Sequence, residues 1–253
     1  FSFSRLPFAV LPLFMVRISK NDRLFVLTGA GISAESGIPT FRDANGLWEG
    51  WRFEDVASPE AWARDPNLVW KFYSMRRTGA LACKPNPAHV ALAEAERKLG
   101  DRFFLCTQNV DNLHEQAGSR NLVHMHGELF KSRCDSCCRP PFADEKTYLT
   151  PASCECGGRI RPHIVWFGEM PFGMVRISDE IERCTVMAVI GTSGVVQPAA
   201  SFVHWARQKY LSGGAPVRTI YVGPLEPANH AAFDQCFFGN AGEIVPKLFE
   251  VET

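Results

Sequence analysis

Four cysteines form two close pairs in the middle of the chain, Cys134-x-x-Cys137 and Cys154-x-Cys156, separated by 16 residues. Four thiolates on two turns suit a tetrahedral Zn²⁺ ion, and such a site has no open position for a substrate. The spacing therefore predicts a structural zinc site rather than a catalytic one. Cys138 could replace Cys137 as a ligand, and incidental or disulfide-bonded cysteines are the alternative interpretation.

A glycine-rich stretch follows the apolar run 23–28 and reads Gly29-Ala-Gly-Ile-Ser33, continuing as Gly37-Ile-Pro-Thr-Phe-Arg42. A buried strand, a tight glycine turn and a helix N-terminus would place backbone N–H groups where a phosphate or pyrophosphate binds. An ordinary strand–helix turn is the alternative, because the third glycine comes too late for G-x-G-x-x-G. The proline at 39 would end a helix, which leaves Phe41 and Arg42 on a loop that could fold over the ligand.

A histidine could provide a catalytic base, and a tyrosine with an arginine could recognise a substrate. His126 could act as a general base because imidazole titrates near neutral pH, although a structural histidine is at least as common, and His124 ranks below it. Tyr73 and Arg76 stand three residues apart on a predicted helix, where a hydroxyl and a guanidinium could bind a carboxylate. On spacing alone, a core tyrosine beside a solvated arginine is the better interpretation.

The elements that must position these residues are apolar runs alternating with helical patterns. Apolar strands are expected at 23–28, 102–107, 185–190 and 217–222, which indicates a parallel sheet covered on both faces. Polar or glycine clusters follow these runs at 29–33, 108–111, 191–193 and 223–226. Ligands bind such sheets at the carboxyl ends of the strands, so the four clusters are expected to converge.

Other segments have simpler patterns. Short helices are expected over 53–81, starting at Ser58-Pro59 and Asp65-Pro66. Further helices are expected at 87–98, 199–210 and 243–249, with extended chain at 121–124 and 161–168.

The composition limits the class of protein. The 253 residues are 46% hydrophobic and 21% charged, with zero formal net charge. These values indicate a globular chain with a substantial core and disfavour a general nucleic-acid binder. Nine cysteines in a chain of this size favour a reducing compartment, so we expect a cytoplasmic protein. Residues 1–14 are expected to be a non-structural extension before Met15, with organelle targeting as the alternative.

Together these motifs resemble those of the sirtuins, which are NAD-dependent protein-lysine deacylases. The resemblance runs from about residue 23 to the C-terminus. It includes Thr107-Gln-Asn-Val-Asp111, His126-Gly127, Val165-Trp-Phe-Gly-Glu169 and Gly191-Thr-Ser193 beside the glycine stretch and the cysteines. It implies an α/β fold with a Rossmann-like, doubly wound parallel sheet that binds NAD, formed by 15–49, 83–127 and 163–253. A small domain would combine a helical part, 50–82, with a zinc-ribbon part, 128–162.

The resemblance also implies roles for single residues. His126 would be the catalytic base, Asn109 would order the ribose and a water, and Asp111 would hold the carboxamide. Tyr73 and Arg76 would recognise a succinyl or malonyl carboxylate, as in class III sirtuins. The remaining NAD contacts would be Gly29, Ala30, Gly31, Ile32, Glu35, Phe41, Arg42, Trp48, Gln108, Val110, Gly191, Thr192, Ser193, Leu225, Glu226 and Ala241.

An acyl-lysine protein substrate would add as a strand against Val165, Phe167, Gly168 and Glu169. The acyl oxygen would attack the ribose anomeric carbon as nicotinamide leaves, and water would finally release free lysine and O-acyl-ADP-ribose. The expected enzyme prefers succinyl and malonyl over acetyl, carries one structural Zn²⁺, is a monomer, and binds neither membrane nor specific nucleic acid. A deacetylase of broad specificity and an NAD-binding regulator with little turnover are the alternatives. Pro224 departs from the asparagine that family members often carry.

Overall fold

The computed structural model describes residues 16–40, 50–211, 214 and 216–252. The predictions for the extension 1–14 and for Phe41, Arg42 and Trp48 lie outside these residues. The strands are β1 Val16–Ile18, β2 Leu24–Thr28, β3 Phe103–Thr107, β4 Leu122–His124, β5 Gly127–Cys134, β6 Phe142–Ala143, β7 Ile160–Ile164, β8 Val186–Ile190, β9 Arg218–Gly223, β10 Gln235–Phe238 and β11 Phe249–Val251. The α-helices are α1 Phe53–Val56, α2 Pro59–Arg64, α3 Pro66–Leu81, α4 Pro87–Leu99, α5 Leu113–Ala117, α6 Met174–Arg183, α7 Phe202–Leu211 and α8 Ala241–Ile244.

Six strands form one parallel sheet in the order β10-β9-β8-β2-β3-β4. Every residue of β2, β3 and β8 is buried, as expected for strands covered on both faces. The chain proceeds from β2 outward to β3 and β4, then returns to add β8, β9 and β10 on the other side. This is the strand order of the doubly wound Rossmann fold, so the predicted fold class is confirmed. The order reverses between β2 and β8, where such folds bind their ligands.

Helix α4 shows how local sequence builds the layers. Asn86 caps it by accepting from the Ala88 N–H at 3.0 Å, and Pro87 suits the first turn. Leu92, Ala95 and Leu99 recur at helical spacing and are buried in the core cluster on one face of the sheet. A second cluster, which includes buried residues of α6 and α7, contains the alternate residues of the central strands.

The helical segment α1–α3 and the three-stranded antiparallel sheet β6-β5-β7 share a third hydrophobic cluster. Two buried tryptophans join them by hydrogen bonds, from Trp62 Nε1 to Asp135 Oδ2 at 3.0 Å and from Trp70 Nε1 to the Ile160 carbonyl at 2.9 Å. The predicted helix starts are confirmed, because Ser58 caps α2 and accepts from Ala61 N–H at 3.0 Å. Asp65 caps α3 in the same manner.

Two local predictions are wrong. Within the described residues up to 40, the glycine stretch continues as two 3-10 turns, Ala30–Ile32 and Ala34–Ser36, and not as an α-helix. The predicted helix 243–249 is also too long. Helix α8 ends at residue 244, a 3-10 turn follows at Val245–Lys247, and β11 pairs in parallel with β1. Local periodicity does not reveal this pairing, because the two strands lie more than 200 residues apart in the sequence.

Among the described helices, none combines the length and apolar character that a bilayer crossing requires.

Candidate active site

A cavity of about 510 Å³ opens at the carboxyl ends of the parallel strands. The four strand-end clusters predicted to converge all contribute to its lining, and so do His126 and two side chains of α3, Tyr73 and Arg76. From the predicted sites, the lining comprises Gly29, Ala30, Gly31, Tyr73, Arg76, Gln108, Asn109, Val110, Asp111, His126, Val165, Phe167, Gly168, Glu169, Gly191, Thr192, Ser193, Leu225 and Glu226. The tertiary structure therefore brings residues from most of the chain to one place.

The glycines at the β2 and β8 ends allow two backbones to touch. A Cβ atom on Gly29 would lie 2.8 Å from the Gly191 oxygen, and one on Gly31 would lie 2.8 Å from the Gly191 Cα. Gly191 itself has a φ of +65°, which favours glycine. The N–H groups of Gly29 and Gly31 donate to the carbonyls of Ile190 and Gly191 at 3.0 and 2.8 Å. These two N–H groups are thus used within the protein, and the glycines let the two turns pack closely at the edge of the cavity.

Ser33 connects the two polar side chains of the 108–111 cluster. Its hydroxyl accepts from Asn109 Nδ2 at 3.1 Å and donates to Asp111 Oδ2 at 3.1 Å. His89 Nε2 lies 3.3 Å from the same hydroxyl, while His89 Nδ1 accepts from the Asn86 N–H at 3.3 Å. Nε2 therefore carries the hydrogen and donates to Ser33. This network holds Asn109 and Asp111 in place.

Sequence reasoning did not predict Ser33 or His89 as site residues. A serine inside a glycine stretch was the available signal, but a serine alone does not reveal its partners. Burial raises the pKa of Asp111, although hydrogen bonds from Leu113 N–H and Ser33 oppose this effect. Burial lowers the pKa of His89 to about 4, so this imidazole is neutral at neutral pH.

His126 has the geometry of a general base. Its Nδ1 lies 3.1 Å from the Gln108 carbonyl, which can only accept, so Nδ1 carries the hydrogen. Nε2 is therefore the basic atom of the neutral ring. Burial lowers the pKa of His126, partly opposed by this hydrogen bond. The ring is consequently unprotonated at neutral pH and able to accept a proton.

His124 has a different environment. Its Nδ1 donates to the Asn109 carbonyl at 2.8 Å, and its Nε2 lies 2.7 Å from Glu115 Oε1. Burial alone would lower the pKa of His124, but the hydrogen bond and charge of Glu115 outweigh it and raise that pKa. Both ring nitrogens of His124 face acceptors, so this imidazole supports the chain around Asn109 and is poorly suited to act as a base.

Tyr73 and Arg76 both face the cavity from α3. Tyr73 is fully buried, and its hydroxyl oxygen accepts from Trp166 Nε1 at 3.1 Å. Burial raises the pKa of Tyr73 to about 12, so it is a neutral donor. Arg76 is half-buried, with its guanidinium 5.8 Å from the centre of the Phe72 ring. The alternative interpretation from spacing alone, a solvated arginine, therefore does not describe Arg76.

The segment after β7 is extended only up to Ile164. The N–H groups of Val165 and Phe167 donate to the carbonyls of His126 and Ala57 at 2.9 and 3.0 Å. The Glu169 N–H donates back within the segment at 2.9 Å. These donors are used inside the protein, which restricts the backbone pairing predicted for an added peptide strand.

A model of the Sir2 family matches residues 29–198, about two thirds of the chain. The chain belongs to the Sir2 family. An NAD-dependent protein deacylase of Shewanella oneidensis is 48% identical over 235 residues, covering 90% of this chain and 93% of that protein. Another NAD-dependent protein deacylase, from Escherichia coli strain K12, is 47% identical over 237 residues, covering 91% of this chain and 82% of that protein. The resemblance to sirtuins predicted from the motifs is therefore confirmed.

Solved Sir2 structures agree with the fold. The crystal structure of a Sir2 homologue in complex with NAD has a TM-score of 0.81 and 43% identity, covering 90% of this chain and 89% of that one. A more distant Sir2 structure, at 29% identity and a TM-score of 0.77, contains a deacetylated p53 peptide and 3′-O-acetyl-ADP-ribose. The match covers 89% of this chain and 91% of the chain in that structure.

Three NAD contacts predicted from the Sir2 resemblance lie outside the cavity lining. Ile32 is fully buried in the sheet core, and Ala241 is buried at the start of α8. Glu35 Oε2 accepts from the Gly242 N–H at 2.7 Å, which joins the glycine stretch to α8. In this structure the three residues support the glycine backbone.

The cysteine cluster matches the zinc module expected in this family. The sulfur atoms of Cys134, Cys137, Cys154 and Cys156 all lie within 4.8 Å of one another, and Cys138 is exposed outside the cluster. The backbone N–H groups of Ser136 and Cys137 donate to Cys134 Sγ at 3.3 and 3.5 Å and lower the pKa of its thiol to about 6. Four sulfurs with such donors fit a structural Zn²⁺. None of them lines the cavity.

Proposed function

We propose that this chain is an NAD-dependent protein-lysine deacylase that removes succinyl and malonyl groups in preference to acetyl groups. The observation that carries this proposal is one cavity lined by the glycine backbone, His126, Tyr73 and Arg76. The names of the deacylase relatives support the activity. The tyrosine and arginine support the acyl preference.

NAD, when bound, supplies an ADP-ribosyl group to the acyl oxygen and nicotinamide as the leaving group. The glycine backbone at 29–31 and 191 leaves room for its pyrophosphate. Asn109 and Asp111 are the polar groups offered to the ribose and the carboxamide, and Ser33 holds both. His126 Nε2 takes the proton of a ribose hydroxyl, because its other nitrogen is committed to the Gln108 carbonyl.

Recognition of the acyl group rests on α3. A succinyl or malonyl group ends in a carboxylate, which accepts hydrogen bonds from a guanidinium and a phenol. A charge-assisted hydrogen bond of this kind contributes about 1.5–3 kcal/mol, which corresponds to about tenfold or more in kcat/KM. An acetyl group makes neither contact, so Arg76 and Tyr73 discriminate between the two substrates.

We further propose that the sheet domain carries NAD and that segments 50–82 and 128–162 form the small domain. An acyl-lysine peptide of the protein substrate occupies the cleft beside 165–169. The enzyme is a monomer and is cytoplasmic. The predicted NAD roles of Phe41, Arg42 and Trp48 belong to this proposal.

The test is a panel of acetyl, succinyl, malonyl and glutaryl peptides with NAD. Wild type is expected to cleave succinyl and malonyl peptides faster than acetyl. Arg76→Met should lower kcat/KM for the succinyl peptide by about tenfold or more, the value of a charge-assisted contact, and leave deacetylation nearly unchanged. Arg64→Met is the matched control, because Arg64 is exposed on α2 and does not line the cavity.

Equal losses of kcat/KM in Arg76→Met on the succinyl and acetyl peptides would contradict the proposed acyl preference. Faster acetyl than succinyl cleavage by wild type would indicate a deacetylase of broad specificity. The absence of nicotinamide release with every peptide would indicate an NAD-binding regulator.

A further inference from the structure

Trp166 is the residue that contacts the Tyr73 hydroxyl. Its indole Nε1 lies 3.1 Å from the Tyr73 oxygen, and only 2% of its surface is exposed. Both residues line the cavity. Sequence reasoning assigned roles to four of the five residues in the Val165–Glu169 motif and none to this tryptophan.

The direction of this hydrogen bond follows from chemistry. Indole nitrogen is a donor only, so the Tyr73 oxygen must be the acceptor. The indole N–H points at this oxygen, so the phenol hydrogen turns away from Trp166. Among the described residues, Trp166 is the hydrogen-bond partner of this hydroxyl. Its hydrogen therefore remains for a ligand.

Trp166 is itself held from several directions. Its backbone N–H donates to Glu169 Oε2 at 2.8 Å, and its ring centre lies 3.2 Å from the Arg161 guanidinium carbon. Arg161 binds both carboxylate oxygens of Glu169, at 2.7 and 3.0 Å. The Trp62 ring packs 5.8 Å away. The indole is thus fixed before any substrate binds, and its N–H arrives at Tyr73 in one orientation.

We propose that Trp166 is a specificity-determining positioning residue, whose indole N–H turns the Tyr73 hydroxyl so that it donates to an acidic acyl group. The inference rests on the proposed preference for succinyl and malonyl groups and adds a residue that acts through Tyr73. A carboxylate can only accept, so it gains from a hydroxyl whose hydrogen is already directed away from Trp166. An acetyl group has no carboxylate and is indifferent to that direction.

The experiment compares Trp166→Phe, Tyr73→Phe and the double variant on succinyl and acetyl peptides. Trp166→Phe is expected to lower the succinyl-to-acetyl ratio of kcat/KM about fivefold, the effect of one hydrogen bond. In the Tyr73→Phe background it should change the ratio no further, because its target hydroxyl is gone. Trp70→Phe is the matched control. This buried tryptophan also loses an indole hydrogen bond, but to the Ile160 carbonyl, so it should leave the ratio unchanged.

An unchanged ratio in Trp166→Phe, with wild type and Arg76→Met behaving as proposed, would overturn this inference and leave the proposed function intact. A further drop of the ratio in the double variant would show that Trp166 does not act through Tyr73. Wild type without a succinyl preference would overturn both proposals. Should Trp166→Phe fail to fold, 3-benzothienylalanine at this position gives the same test, because it keeps the shape of tryptophan and lacks the N–H.

Discussion

At the scale of the residue, the chemistry depends on which nitrogen carries a proton. His126 and His124 both donate Nδ1 to neighbouring carbonyls, those of Gln108 and Asn109. They differ at Nε2, because His124 meets the Glu115 carboxylate. The pKa of His124 is consequently raised, whereas burial lowers the pKa of His126. Two histidines in one tripeptide thus have pKa values shifted in opposite directions, and the one with the lowered pKa faces the cavity.

This difference predicts the pH profile. A general base works in its unprotonated form, so activity is complete above the His126 pKa and is lost as pH falls through it. Because burial lowers that pKa, the acidic limb of kcat/KM should have its midpoint below 6.5. Profiles on a succinyl peptide measure it, and His126→Ala should lose nearly all activity. His204→Ala, at an exposed histidine, should keep the wild-type profile. A midpoint above 6.5 would contradict the assignment.

At the scale of the element, α3 joins the acyl pocket to the zinc module. One side of the helix presents Tyr73 and Arg76 to the cavity. Arg77 lies fully buried on another side, where its guanidinium donates to the carbonyls of Leu129 and Lys131 at 2.8 and 3.1 Å. It also pairs with Asp144 at 3.2 Å. The position of the pocket side chains therefore depends on contacts made by their neighbour in sequence.

Arg77→Met should destabilise the protein strongly. It would remove the charged donor from the buried Asp144 carboxylate and from several buried carbonyls, and breaking a buried pair in this way costs about 3–5 kcal/mol. Urea unfolding of the zinc-loaded protein measures the loss. Arg97→Met is the control, because Arg97 is exposed on α4 and should change the free energy of unfolding by less than about 0.5 kcal/mol. Similar stabilities of the two variants would show that α3 is held mainly by its apolar face.

At the scale of the whole molecule, buried histidines make the stability depend on pH between about 6.5 and 4. Burial lowers the pKa of His89 to about 4 and that of His163 to about 4. Burial, with the charges of His89 and His124, holds the pKa of His114 well below 6.5. His124 is the exception, with a raised pKa. In the unfolded chain the three histidines with lowered pKa values titrate near 6.5. The unfolded state therefore binds more protons than the folded state between pH 6.5 and 4.

The free energy of unfolding should therefore fall as pH decreases from about 6.5 to 4, by at most about 1.4 kcal/mol per pH unit for each such histidine. Acid also releases zinc from thiolates, so the test is a difference between variants. His89→Gln should make the dependence on pH shallower than in wild type, whereas His230→Gln, at a half-exposed histidine, should not. Parallel dependences for wild type and His89→Gln, from urea unfolding at several pH values, would contradict this account.

The amino-acid sequence alone was enough to predict the fold class, the four-cysteine site, the helix starts and the convergence of the strand-end clusters. Each of these follows from short-range patterns: spacing of thiols, capping residues, apolar periodicity and the common edge of parallel strands. The family resemblance rests on the same local motifs. The wrong predictions, a helix after the glycines and another through Phe249, arose where local propensity gave way to tertiary contacts.

The three-dimensional packing was needed to see which atoms meet. It showed that the Gly29 and Gly31 N–H groups are used by β8 and its turn, that Ser33 holds Asn109 and Asp111, and that Trp166 reaches Tyr73 from 93 positions away. Hydrogen-bond direction and burial depend on partners brought together by packing, and one-dimensional spacing carries no information about them. For this reason most residues of the site could be predicted from the sequence, whereas their protonation and orientation could not.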